Sequence, residues 1–158
     1  MPTNSHSPLL AARDHSPATA RGAVLERVAT HWLLALRTAL APLDLTPAQG
    51  RLLITTAWLT SRERGVRQSD IAAHAGADPV MTSEVLRTLE GRGLITRAPH
   101  ATDRRAKSVT LTEEGGALAD RAARLVDVAD ARFFEVGMSQ FGTLAKALKK
   151  GGRGVAAD

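Results

Sequence analysis

The residues whose types and spacing carry the most chemistry lie in the run Asp103-Arg104-Arg105-Ala106-Lys107. Asp103 and Arg105 are two apart, so in an extended chain both side chains project the same way. Asp103 can pair with a nearby arginine and fix the shape of a tip. Arg105 is then the guanidinium suited to a narrow, electronegative minor groove. Arg104 and Lys107 suit phosphate contacts. A second group lies upstream, at Val80, Ser83, Glu84 and Arg87. On a helix whose Leu86 and Leu89 face a core, with Thr82 and Val85 on the same side, these four point outward. Val80 can pack on a thymine methyl, and Ser83 can donate or accept. Glu84 can accept from a cytosine amino group, and Arg87 can reach guanine or phosphate. The competing reading of both groups is solvated surface: a hairpin tip, and an exposed mid-helix pair at Glu84 and Arg87.

Other chemistries find no support. The 158 residues contain no cysteine, which removes disulfides, thiolate catalysis and zinc–thiolate sites. Of five histidines, His6 and His15 lie in a Ser/Pro-rich start, and His31, His74 and His100 show no His-x-x-x-His spacing. There is no glycine-rich phosphate loop and no nucleophile elbow. Metal binding by His74 and His100 would need carboxylates that are not grouped nearby. No catalytic residue, metal site or cofactor is expected. No apolar run approaches the ~18–20 residues of a membrane span, and Met1 to Ser7 lacks a signal pattern, so a cytoplasmic protein is expected.

The elements that must position the two groups follow from periodicity and punctuation. Residues 1–20, with Pro2, Pro8 and Pro17, read as a flexible arm. Ala23 to Leu40 is a helix with apolar character on more than one face, ended by Pro42. Thr46-Pro47-Ala48-Gln49 is an N-cap, a first-turn proline and a capping box, opening a helix that carries Leu52, Leu53 and Leu59. Ser61 to Val66 reads as a loop. Gln68 to Ala75 is a short helix closed by Gly76, and Asp78-Pro79 opens the next, which runs to about Gly91. Two short helices separated by Gly76-Ala77-Asp78 have helix-turn-helix spacing. Leu94 to Ala98 and Lys107 to Leu111 read as two strands around a polar tip, a wing. Thr112 caps a long helix with Leu118, Ala122, Leu125, Val126, Ala129 and Phe133 in its stripe. Gly137 interrupts it, and a last helix runs from Met138 to Lys150.

The fold class is therefore mainly α, an α+β winged helix at residues 45–112 flanked by helices at 21–44 and 113–150, with a tail at 151–158. Net charge is +5 and pI about 10.7, which favours an anionic partner. The basic stretch from Arg97 to Lys107 contrasts with Glu113 to Glu135, where six acids face three arginines. The flanking helices outsize the winged unit, which points to burial against a second subunit in a two-fold dimer; the competing reading is that they fold back to enlarge one monomeric core. Two reading helices would then enter major grooves ~34–36 Å apart, on a pseudo-palindromic DNA site.

Several strings are similar to one known family. Leu45-Thr46-Pro47, Gln68-Ser69-Asp70-Ile71-Ala72 and Leu89-Glu90-Gly91-Arg92-Gly93-Leu94-Ile95 resemble the MarR family of winged-helix transcriptional regulators. Asp103-Arg104-Arg105-Ala106-Lys107-Ser108-Val109-Thr110-Leu111-Thr112 resembles that family's wing signature. The resemblance covers about Leu45 to Gly115. It implies a homodimer with interlocked terminal helices, a repressor of nearby genes, and release of DNA by a small ligand, often an aromatic acid. Asp103 and Arg105 match the motif as wing residues. Three positions depart from the family. Glu84 stands where arginine is frequent, Arg67 where a capping Thr or Ser is common, and Gly50 where a bulky apolar residue is common. A mid-helix glycine costs roughly 1 kcal/mol relative to alanine, and Gly50 predicts a void near the first helix. Cysteine-based peroxide sensing is excluded.

A ligand site is placed near that void, with His31, Trp32, Arg37, Gly50 and Arg51 as candidate liners. Aromatic rings beside a cation suit a small aromatic carboxylate. The alternative to a DNA-binding regulator is a winged-helix protein-interaction module that has lost DNA binding, a reading that Glu84 keeps open.

Overall fold

The computed structural model describes residues 21–62, 65–100 and 106–135. The chain divides into two units, Met1–Leu34 and Ala35–Asp158. In the first, the described residues form one continuous helical segment, the greater part of α1 (Arg21–Leu40). Val24, Leu25, Val28, Leu33 and Leu34 are exposed along it, so its apolar side chains are not packed as a core would pack them.

The second unit holds the rest. A short 3-10 turn, Ala41–Leu43, follows α1 and carries Pro42 in its first positions. Asp44 then takes a left-handed conformation (φ 51°), which a short polar side chain tolerates. α2 (Pro47–Thr60) begins as its sequence requires: the Thr46 hydroxyl accepts from the Gln49 amide and the Gln49 side chain accepts from the Thr46 amide, with Pro47 in the first turn. β1 (Val66–Arg67) leads directly into α3 (Gln68–Ala75), which Gly76 closes at φ 58°. α4 (Pro79–Gly91) is followed by β2 (Ile95–Pro99), β3 (Lys107–Leu111) and α5 (Glu113–Phe133). The Thr112 hydroxyl accepts from the Gly115 amide and so caps α5. The expected last helix, Met138 to Lys150, and the expected arm and tail lie outside the described residues.

The three strands form an antiparallel sheet in the order β1-β3-β2. Val66 pairs with Val109, and β2 pairs with β3 from Ile95–Leu111 outward to Pro99–Lys107. β1 corrects the expectation of a loop through Val66. Two residues cannot display an alternation, and this strand exists because β3 offers it a partner. α2 packs on α3, α4 and α5, and the layer between them and the sheet is the core. Leu40, Leu52, Leu53, Ile71, Leu86, Leu89, Ile95 and Val109 are almost fully excluded from solvent there. The void predicted at Gly50 is absent. Gly50 is buried, and a Cβ built on it would lie 2.6 Å from Leu40 Cδ1. The missing side chain is replaced by Leu40.

Candidate nucleic-acid interface

α4, the helix expected to read bases, is set by its two ends and one buried side. At its start, Asp78 Oδ1 accepts from the amides of Val80 and Met81, both at 2.9 Å. Pro79 has no amide hydrogen. The first turn of α4 therefore offers no spare donor to an anion, although helix N-termini ordinarily do. Any contact this helix end makes with a partner would fall to its side chains. Thr82, Leu86 and Leu89 are buried, and Val85 is half-buried, as their spacing predicts. This turns Val80, Glu84 and Arg87 to solvent, with Ser83 half-buried beside them. Val80 is the most exposed large apolar residue described, at 68%. An aliphatic side chain exposed to that degree at the start of a helix suits a surface awaiting apolar contact.

The wing stands beside this helix. The β2–β3 ladder runs to Pro99–Lys107, and the His100 amide donates to the Ala106 carbonyl just beyond it. The tip residues Asp103, Arg104 and Arg105 lie outside the described residues. Lys107, at the end of β3, is exposed. Its pairing opposite Pro99 puts it on the sheet face that carries Arg97, Ile95 and Val109, because side chains alternate along each strand.

That face holds an ion pair absent from the sequence reasoning. Arg97 donates from Nε and Nη2 to Glu90 Oε2, at 2.8 and 2.5 Å, with its side chain 9% exposed. The hydrogen bonds from Arg97 hold the Glu90 carboxyl below its ordinary value. Burial opposes them, and the positive charges of Arg97 and Lys107 add to them. Glu90 belongs to the last turn of α4 and Arg97 to β2. They are seven apart, a spacing that neither a helix nor a strand rule flags. A second brace ties the far end of α4 to the corner after α1: Arg92 Nη1 donates to the Asp44 carbonyl at 2.6 Å.

The remaining candidates belong to both units. His31 is exposed and Trp32 half-buried on α1, in the first unit; Arg37 and Arg51 are exposed and Gly50 buried in the second. His74, weighed above as a metal ligand, stacks on Trp58 with ring centroids 4.6 Å apart, and Arg62 lies 3.7 Å over the same indole. Among the described residues no three His, Asp or Glu side chains group to hold a metal ion, and no helix is long and apolar enough to cross a membrane.

A MarR family model matches residues 45–107. Over 124 residues the chain is 33% identical to the uncharacterized HTH-type transcriptional regulator YdcH of Bacillus subtilis, spanning 78% of this chain and 84% of that one. The chain belongs to the MarR family. MarR proteins are transcriptional regulators, and the family model covers the helix-turn-helix and the hairpin as far as the first residue of β3. Among solved structures, CouR from Rhodococcus jostii RHA1 bound to p-coumaroyl-CoA superposes with a TM-score of 0.73 at 29% identity, over 91% of this chain and 99% of that one. CouR bound to a 23-mer DNA duplex gives 0.67 at 30% identity, over 82% and 90%. The MarR family protein Rv2887 of Mycobacterium tuberculosis, in complex with salicylic acid, gives 0.57 at 31% identity, over 87% and 97%.

Proposed function

We propose that this MarR protein is a homodimeric, sequence-specific DNA-binding repressor, cytoplasmic, whose grip on DNA is released by a small aromatic acid or its thioester. The observation that carries DNA reading is the solvent-facing side of α4. Val80, Ser83, Glu84 and Arg87 stand there on a rigid, capped helix next to a basic wing. In this reading Val80, Ser83, Glu84 and Arg87 address base edges in the major groove, Arg105 enters the minor groove, and Arg104 and Lys107 hold phosphates, with Asp103 shaping the tip. The CouR complex with duplex DNA supports it. The p-coumaroyl-CoA and salicylic acid complexes support the ligand class. The exposed leucines and valines of α1 support a second copy of the chain as partner, with residues 21–44 and 113–150 as the dimerising segments around a 45–112 DNA-binding lobe.

The test is selection of bound fragments from a random-sequence duplex library, followed by affinity measurements over a range of salt. A pseudo-palindromic consensus and a steep linear fall of log affinity with log salt are expected. A salt-independent or undetectable interaction would leave the second reading, a protein-interaction module. The exposed carboxylate of Glu84 in mid-α4 is the observation that favours that alternative.

A further inference from the structure

We propose that Arg97 is a positioning residue for DNA binding: by pairing with Glu90 it fixes the wing against the reading helix and leaves Lys107 available to phosphate. The inference rests on the DNA-binding reading above and deepens it.

The geometry is specific. Seen from the core outward, one face of the β2–β3 hairpin carries Ile95 opposite Leu111, then Arg97 opposite Val109, then Pro99 opposite Lys107. Ile95 and Val109 are buried, so the face is turned to the helices. Arg97 is the first charge met beyond that apolar layer, and its side chain is almost wholly enclosed. A guanidinium so placed needs a counter-charge, and Glu90 supplies one from the last turn of α4, receiving two donors on one oxygen. The pair is thus a cross-link between the helix that would read the major groove and the hairpin that would reach the backbone beside it. A fork of donors also fixes orientation in a way that an ammonium does not.

Lys107 gives the pair its second role. It is the diagonal neighbour of Arg97 across the ladder and is exposed, and its charge is felt at Glu90. A carboxylate at this place, were it not already engaged, would attract the lysine. Arg97 takes that carboxylate out of competition. Removing Arg97 alone therefore has two effects: the hairpin base loses its link to α4, and Lys107 gains an anionic rival to phosphate. Removing Glu90 and Arg97 together has only the first.

The experiment uses full-length protein and a labelled duplex recovered by selection from the random-sequence library. Affinity is measured by fluorescence anisotropy at several salt concentrations for wild type, Arg97→Met, the double variant Glu90→Met/Arg97→Met, and each with Lys107→Ala. Thermal unfolding is followed in parallel. Arg97→Met is expected to bind roughly tenfold more weakly than wild type, with a log–log salt slope shallower by about one contact. Lys107→Ala should then cost little further affinity in that background, although it weakens the wild type. The double variant should recover the slope while keeping part of the affinity loss. If Arg97→Met unfolds, the double variant, which leaves no unpaired charge, carries the comparison: Lys107→Ala must weaken it as it weakens wild type. Wild-type affinity and slope in Arg97→Met, or an undiminished effect of Lys107→Ala within it, would overturn the positioning role alone. Failure of the wild type to bind any duplex would overturn the DNA-binding reading beneath it.

Discussion

Gly115 and Glu90 illustrate how much depends on single side chains here. A Cβ on Gly115 would lie 1.8 Å from the Leu94 carbonyl oxygen, which is backbone and cannot swing aside. The same carbonyl accepts from the Thr112 amide at 3.1 Å, and the Thr112 hydroxyl donates to the Gly93 carbonyl at 2.8 Å. Gly115→Ala should force the start of α5 away from this corner and lower stability by about 2 kcal/mol, as overpacking does; an unchanged melting temperature would refute the close approach. Glu90 makes a pH prediction. Its folded-state carboxyl titrates below the ordinary value of 4.5. The pair's contribution is therefore complete above that value and is lost as pH falls below it through the lowered one. Melting temperatures recorded from pH 7 down to pH 3 should show a steeper acid decline in wild type than in Glu90→Gln. Equal acid limbs would contradict the sign. None of this was legible in the sequence. Arg97 stood out only as one more basic residue, because its partner lies on another element and their approach exists only once α4 and β2 are packed together. Gly50 misled for the same reason: the space beside a glycine depends on a neighbour, Leu40, that local pattern does not name.

At the scale of elements, local chemistry was more informative. Thr46 with Gln49, Asp78 with Pro79, Gly76, and Thr112 each announce a helix end through hydrogen-bonding capacity or backbone freedom. The structure places a cap or a left-handed turn at every one of them. The buried positions Leu86 and Leu89 follow from period alone. β1 escaped because two residues carry no period, and its pairing with β3 is a tertiary event. The caps carry a prediction. Asp78→Ala removes the acceptor for two amides of α4 and should cost about 1 kcal/mol of stability, read by chemical denaturation. Asp78→Asn, which keeps the acceptor, should restore most of it. A neutral Asp78→Ala would mean that the helix start is held by its packing instead.

For the whole molecule, the central question is what the apolar side of α1 meets. Leu33 and Leu34 are 53% and 59% exposed, and Val24, Leu25 and Val28 lie on the same helix. In the proposed homodimer these side chains are interface. Wild type should scatter light as twice the 16.7 kDa chain mass, and Leu33→Glu/Leu34→Glu should shift the population toward single chains. The same change should weaken binding to a palindromic duplex far more than to a half-site. A wild type that is monomeric at micromolar concentration would remove the two-fold reading of the operator. The charge distribution fits this division of labour, since Glu113 to Glu135 is acidic where no phosphate is expected and Arg97 to Lys107 is basic where one is.

The sealed first turn of α4 has a further consequence for altering what the protein recognises. With Pro79 lacking a hydrogen and Asp78 occupying the two amides that follow, the helix tip contributes no fixed backbone grip that every target would share. In the proposed DNA-binding reading, discrimination in the major groove then resides in the side chains at positions 80, 83, 84 and 87, and so in their codons. A library randomised at those codons alone, on an otherwise untouched scaffold, should yield variants with new operator preferences and native-like melting temperatures.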